Sequence, residues 1–199
     1  LDRWRRLGEF VAWEGTNTLR FRHDLFRTVA YEGLSFRRRR EIHGRLATVL
    51  ERRAGAGAVE LAPQLSLHFL QAEDYEKAWR YSVAVGELAQ RRSANVVAAE
   101  LYERALAAAD HLELPPAEVA RVAEALGDVC ELAARFGDAE AAYGRARRLN
   151  TDAFAQARLM RKEGVVCERL GGYPEALDWY ARGLAALDSA DGASGLTSR

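Results

Sequence analysis

Few residues of this chain could do chemistry, and they are scattered. His23 and Asp24 stand between an apolar alternation and a helical-looking run, and the arginines Arg37–Arg40 follow. A histidine beside a carboxylate suits proton transfer or contact with a phosphate, and clustered arginines suit phosphate oxygens. Nothing around them completes either site. The chain contains no GxSxG, no HExxH, no CxxC and no GxxxxGK[ST]. His43, His68 and His111 are too far apart in sequence to assemble zinc ligands with Cys130 and Cys167, the only cysteines. Two cysteines in a chain this long exclude a disulfide framework, and their matched positions in two similar segments mark them as small buried residues.

Composition narrows the field further. Hydrophobic residues make up 49% of the 199, enough for a core. Basic and acidic residues number 29 each, so no global field draws the chain to nucleic acid or to an anionic membrane. No apolar run approaches the roughly 20 residues that span a bilayer, and no signal peptide is expected from these residues. Arginine carries nearly all the positive charge, with lysine only at Lys77 and Lys162, as in GC-rich bacterial genomes. The first residue is Leu1, and the chain reads as a cytoplasmic fragment of a longer protein.

The elements that must position these residues are helical. From Ser35 onward alanine, leucine, arginine and glutamate dominate. Breakers fall at Gly55 and Gly57, Glu73-Asp74, Pro115-Pro116, Gly137-Asp138 and Gly171-Gly172. Helices are predicted near 36–53, 59–72, 75–92, 95–109, 116–134, 137–149, 153–170 and 173–187, with a frayed tail over 188–199. Upstream, "RWRRLGEFVAW" reads as a helix end running into a strand. "TNTLRFRHD" reads as a Thr-Asn turn and a strand with Leu19 and Phe21 on one face. Leu25, Phe26, Val29 and Ala30 then make an amphipathic helix with Asp24 as its N-cap.

The helical part repeats. "LGDVCELAARFGDAEAAYGRA" from Leu126 aligns without a gap on "EGVVCERLGGYPEALDWYARG" from Glu163, 37 residues on. Gly127 meets Gly164, Cys130 meets Cys167, Ala139 meets Ala176 and Tyr143 meets Tyr180. Weaker copies start around Ser66 and Gly86, only 20 residues apart, so helix 75–92 carries second-helix and first-helix signatures at once. An irregular junction is expected there. The pattern over 58–187 resembles the tetratricopeptide repeat, a helix–turn–helix of about 34 residues with small residues where its two helices touch. The resemblance implies an all-α solenoid of helical hairpins with a concave face. The residues flanking the buried glycines would reach that face: Arg121, Glu124, Asp128 and Glu131, then Arg158, Arg161, Glu168 and Arg169. They read either as a solvated face or as a groove for a peptide, a protein loop or a small-molecule inducer.

"RFRHDLFRTVAYEGLSFRRRREIHGRLATVLE" is similar to the winged-helix-to-repeat junction of bacterial STAND signalling ATPases, multidomain regulators linked to adenylate or guanylate cyclase or to LuxR-type DNA-binding domains. The resemblance implies that 1–35 is the C-terminal half of a winged helix with a short β-hairpin. On it, 36–57 is a connecting helix and linker, and 58–187 holds the repeats. In that family a Met-His-Asp motif contacts bound ADP; here the matching residues are Arg22, His23 and Asp24, with arginine in place of methionine. His23 and Asp24 would then sense nucleotide only in the full-length protein. ATP or ADP is expected there, and no cofactor in this chain. Three functions follow in order: the partner-binding arm of such a switch, acting on an ATPase module in cis; an autonomous repeat adaptor; and, distantly, a hydrolase. The chain is read as no enzyme and no membrane or nucleic-acid binder, since Arg37, Arg40 and Arg45 spread around a helix.

Overall fold

The helix formers fold as their periodicity demands. The computed structural model describes residues 8–15, 18–54 and 58–196. Two short strands, β1 (Val11–Glu14) and β2 (Thr18–Phe21), pair antiparallel with Val11 opposite Phe21 and Trp13 opposite Leu19. Among the described residues nine helices follow: α1 (Asp24–Glu32), α2 (Phe36–Ala54), α3 (Ala58–Gln71), α4 (Tyr75–Arg91), α5 (Asn95–Ala109), α6 (Pro116–Leu132), α7 (Phe136–Leu149), α8 (Ala153–Arg169) and α9 (Tyr173–Leu196). The expected end of a helix in "RWRRLG" and the Thr16-Asn17 turn lie outside the described residues.

One turn recurs. At Glu73, Ser93, Ala134 and Gly171 the backbone φ is positive, between 57° and 82°. After each, the next N–H returns to a carbonyl five residues back: Asp74 to Phe69, Ala94 to Ala89, Arg135 to Cys130 and Gly172 to Cys167, all at 2.8–2.9 Å. This is the Schellman closure of a helix C-terminus. It joins α3 to α4, α4 to α5, α6 to α7 and α8 to α9. The links α5–α6 and α7–α8 are built differently. Pro116 opens α6 at its first position, where the missing N–H costs nothing, and Asp152 caps α8 by accepting from the Ala155 N–H at 2.7 Å.

Inside three of the four hairpins a glycine faces a tyrosine 16 positions on. Gly86 lies against the Tyr102 ring, Gly127 against Tyr143 and Gly164 against Tyr180. The ring fills the space a side chain would take, which brings the two helices close. Each tyrosine reaches back toward a polar residue one turn beyond its glycine. Tyr102 donates to Gln90 at 2.7 Å, and Tyr143 to Glu131 at 3.2 Å and Asp128 at 2.8 Å. In the α3–α4 pair the same register holds Ser66 and Ser82, both fully buried, and the Ser82 hydroxyl finds no partner. Helix α4 is therefore the second helix of one hairpin and the first of the next, so two hairpins share one helix where the 20-residue spacing requires it. The result is a tetratricopeptide-like solenoid.

The main core runs through α4–α8, with Tyr102, Leu101, Val122, Val129, Tyr143, Leu159 and Val166 almost wholly buried. A smaller cluster joins Ala47 of α2 to Leu65 and Phe69 of α3, Ala78 of α4 and Ala108 of α5. Helix α2 is tied to this end of the array by Glu51, which accepts from Lys77 at 2.7 Å and Tyr81 at 2.8 Å.

Three local expectations are corrected. His23, not Asp24, occupies the N-cap of α1; its backbone is extended there, and its side chain makes no capping hydrogen bond. Helix α9 does not stop near 187 but continues to Leu196. Residues 188–196 contain no proline, and adding residues to an existing helix is far easier than nucleating one. Cys130 is buried as expected, but its counterpart Cys167 is only half-buried, since no described helix packs on the α8–α9 hairpin as α8 packs on α6 and α7.

Candidate docking face

The first helices α4, α6 and α8 share one face, and ion pairs order it. The pairs do not run along single helices. They cross from one hairpin to the next, three of them at a spacing of 34 residues. Arg121 of α6 donates to Glu87 of α4 at 2.7 Å. Arg158 of α8 grips Glu124 of α6 with two nitrogens, at 3.0 and 2.8 Å. Lys162 bridges Glu124 at 2.8 Å and Asp128 at 2.5 Å, and its ammonium lies 5.4 Å from the centre of the Tyr143 ring. Burial alone would raise the Glu124 carboxyl, but Arg158 and Lys162 outweigh it and hold the group below the usual carboxylate range. Arg158 is pushed up in turn by Glu124. Burial first, then the Asp128 carboxylate, pushes the Tyr143 hydroxyl upward; burial likewise takes Tyr102 up to about 12.

The eight expected face residues therefore divide. Arg121, Glu124, Asp128 and Arg158 are spent on holding consecutive hairpins together, and Glu131 accepts from Tyr143. Arg161, Glu168 and Arg169 are exposed on α8, and none has an ion-pair partner within 4.0 Å among the described residues. Burial raises the Tyr180 hydroxyl and the neighbouring Glu168 carboxylate adds to this, so Glu168 stands to Tyr180 as Glu131 stands to Tyr143. Beside Arg158 and Arg161 opens a groove of about 410 Å³, walled by Phe154, Tyr180, Leu184 and Leu187.

Sequence reading missed Glu87 and Lys162 as members of this face. The repeat alignment at 37 residues hides them, because the ion pairs run on a diagonal three residues shorter. It also missed the buried pair between α7 and α8, where Arg147 donates to Glu163 at 2.8 Å and stacks over Trp179 at 4.9 Å. Burial dominates at Glu163 and raises its carboxyl despite the arginine.

The other singled-out residues lie apart from this face. His23 and Asp24 are exposed at the start of α1; His23 lies edge-on to Phe26 at 5.7 Å, and Asp24 accepts weakly from Arg27 at 3.4 Å. The arginine run is engaged within the chain. Arg37 and Arg38 pair with Glu41, Arg39 lies over Tyr31 and Phe36, and Arg40 binds the Ala72 carbonyl and Glu73 at the α3–α4 turn. A hydrogen-bonded chain, Tyr31 to His43 to His68 with 2.9 Å at each step, joins α1, α2 and α3. Among the described residues no group of three or more His, Cys, Asp or Glu could hold a metal ion, and no helix is long and apolar enough to cross a membrane.

No family model matches the chain, and no curated protein matches it. Its fold is similar to that of BtubC (BKLC) from P. vanneervenii, at 17% identity over 85% of this chain and 73% of that one, with a TM-score of 0.55. Looser likenesses join it to MamA, at 17% identity over 85% of this chain and 96% of that one with a TM-score of 0.49, and to a MamA fragment from Desulfovibrio magneticus RS-1, at 15% over 77% and 97% with 0.47.

Proposed function

We propose that this chain is a helical-repeat scaffold that docks other proteins through the first-helix face of its array. One observation carries the reading. The cross-hairpin pairs engage Glu87 of α4 and Arg121, Glu124 and Asp128 of α6, and leave Arg161 and Arg169 of α8 exposed and outside any ion pair among the described residues, beside an apolar groove. Exposed charge next to exposed apolar surface is the composition of a recognition patch. The test is capture of native partners on the immobilised chain. Arg161→Glu with Arg169→Glu is expected to abolish capture. Arg38→Glu with Arg39→Glu, on the face of α2, is expected to leave it intact, and the reverse pattern would move the docking site to α2.

A second reading makes the same scaffold the sensing arm of a STAND-type switch, with 1–35 as the remnant of a winged helix, ATP or ADP bound only in the full-length protein, and a protein, peptide or small-molecule inducer as input. It is favoured by the apolar side of the N-terminal unit. There Phe10, Leu19, Phe21, Leu25 and Val29 are exposed around a cavity of about 730 Å³, as if helices belonged against them. The Tyr31–His43–His68 chain would couple that unit to the first repeat helix. A P-loop encoded upstream of Leu1 supports this reading, and its absence leaves the scaffold alone.

A further inference from the structure

Each groove between a first and a second helix is filled by the next first helix, and the filling is electrostatically signed. Helix α6 sits beyond α4 and α5, and its Arg121 meets Glu87. Helix α8 sits beyond α6 and α7, and its Arg158 and Lys162 meet Glu124. In both cases the array offers a carboxylate and the arriving helix brings the cation. At the α8–α9 hairpin the signs invert. Taken 37 positions on, Glu124 becomes Arg161 and Asp128 becomes Val165. The second helix changes with it: Glu140 and Arg147 of α7 become Leu177 and Leu184 of α9, which are 68% and 65% exposed. Ala117 becomes Phe154, 64% exposed. Leu177, Tyr180, Leu184 and Leu187 recur at helical spacing and make one stripe along α9, and the last three line the 410 Å³ groove with Arg158 and Arg161.

We infer that this groove is a second docking site, separate in register from the first-helix face though it shares Arg161, and that its occupant is an amphipathic helix of a partner protein. That helix buries an apolar stripe against Phe154, Leu184 and Leu187 and presents a carboxylate to Arg161. The geometry of the α8 seat one repeat earlier supplies the mode, a helix laid in a groove with apolar anchors and one charge contact fixing register. The inverted charge supplies the specificity, because a basic helix of the kind that fills the inner grooves would face Arg161 with like charge.

The probe is a stapled peptide with the sequence of residues 153–169 in which the positions of Arg158 and Lys162 carry glutamate. The unaltered peptide is its control, and binding to the whole chain is read by fluorescence anisotropy. The acidic peptide is expected to bind at least tenfold more tightly than the basic one. Arg161→Glu is expected to reverse that order, Leu184→Asp to abolish binding of both, and Arg169→Glu to change neither. Circular dichroism melts of the variants separate lost binding from lost fold. Equal binding of the two peptides, no binding of either, or indifference to Leu184→Asp overturns the assignment. Light scattering covers the other occupant: a wild-type dimer converted to monomer by Leu184→Asp would give the groove to a second copy of the chain and overturn the partner helix. Loss of partner capture in Arg169→Glu with peptide binding intact would leave the first-helix face and this groove as two sites. The converse would remove the first-helix face and keep the groove.

Discussion

Replacing Gly127 by alanine tests the register on which the whole array depends. In an open helix interior the change is favourable by about 1 kcal/mol, because alanine restricts the unfolded chain and propagates helix better. At Gly127 a Cβ would collide with Cδ1, Cε1 and Cζ of Tyr143. The ring cannot yield cheaply. It is fully buried, and its hydroxyl is held by Asp128 at 2.8 Å and Glu131 at 3.2 Å. Overpacking of this kind costs roughly 1–3 kcal/mol, so the net effect should be a loss of up to about 2 kcal/mol, or up to roughly 8 °C in Tm for a chain of this size. Gly86 should be milder, because its Cβ would stand 2.8 Å from Tyr102. Gly137, which has nothing within 4 Å, should not be destabilised at all. Urea melts of Gly127→Ala, Tyr143→Leu and the double variant would isolate the contact, since the smaller side chain should relieve most of the penalty. A Gly127→Ala protein as stable as Gly137→Ala would refute the close approach.

Other consequences can be measured separately. Ala134 holds a left-handed conformation in the α6–α7 turn, where Gly171 stands in the equivalent turn, so Ala134→Gly should stabilise the chain by up to about 1 kcal/mol in a urea melt. Burial lowers both His43 and His68, the latter also through its neighbour, so below pH 6.5 the unfolded chain binds protons that the folded chain refuses. Stability should therefore fall as pH drops from 6.5 through the lowered values, before the carboxylates of Glu51 and Glu124 begin to titrate below 4.5, and His43→Gln with His68→Gln should flatten that part of the profile. With Cys130 fully buried and Cys167 half-buried, a thiol reagent at neutral pH should modify Cys167 slowly in the native state and Cys130 only on unfolding; equal rates would contradict the packing of α6.

The hairpins could be read in the sequence because they rest on local signals. Glycine, tyrosine and the breaker residues recur at fixed spacing, and even the double duty of α4 followed from two copies 20 residues apart. The end of α9 was placed short, at 187, because small polar residues mark both loose ends and weak helix, and only the preceding turns of the helix decide between them. The ion pairs of the docking face were not legible. Three of the four join residues 34 apart, on a diagonal set by how one hairpin stacks on the next, and repeat alignment alone does not contain that angle. The Tyr31–His43–His68 chain was hidden for the same reason, since α2 and α3 bring together histidines 25 residues apart. His23 drew attention by its neighbours in sequence, yet on α1 it is exposed and its nearest aromatic partner is Phe26.

Hydrogen–deuterium exchange on the chain with a captured partner reports where the partner docks. Protection gained on binding should fall on α8 around Arg161–Arg169 and on the adjoining stretch of α9, and leave α2 around Arg37–Arg40 unchanged. Protection confined to α1 and α2, with α8 exchanging as in the free chain, would contradict docking through the repeat array.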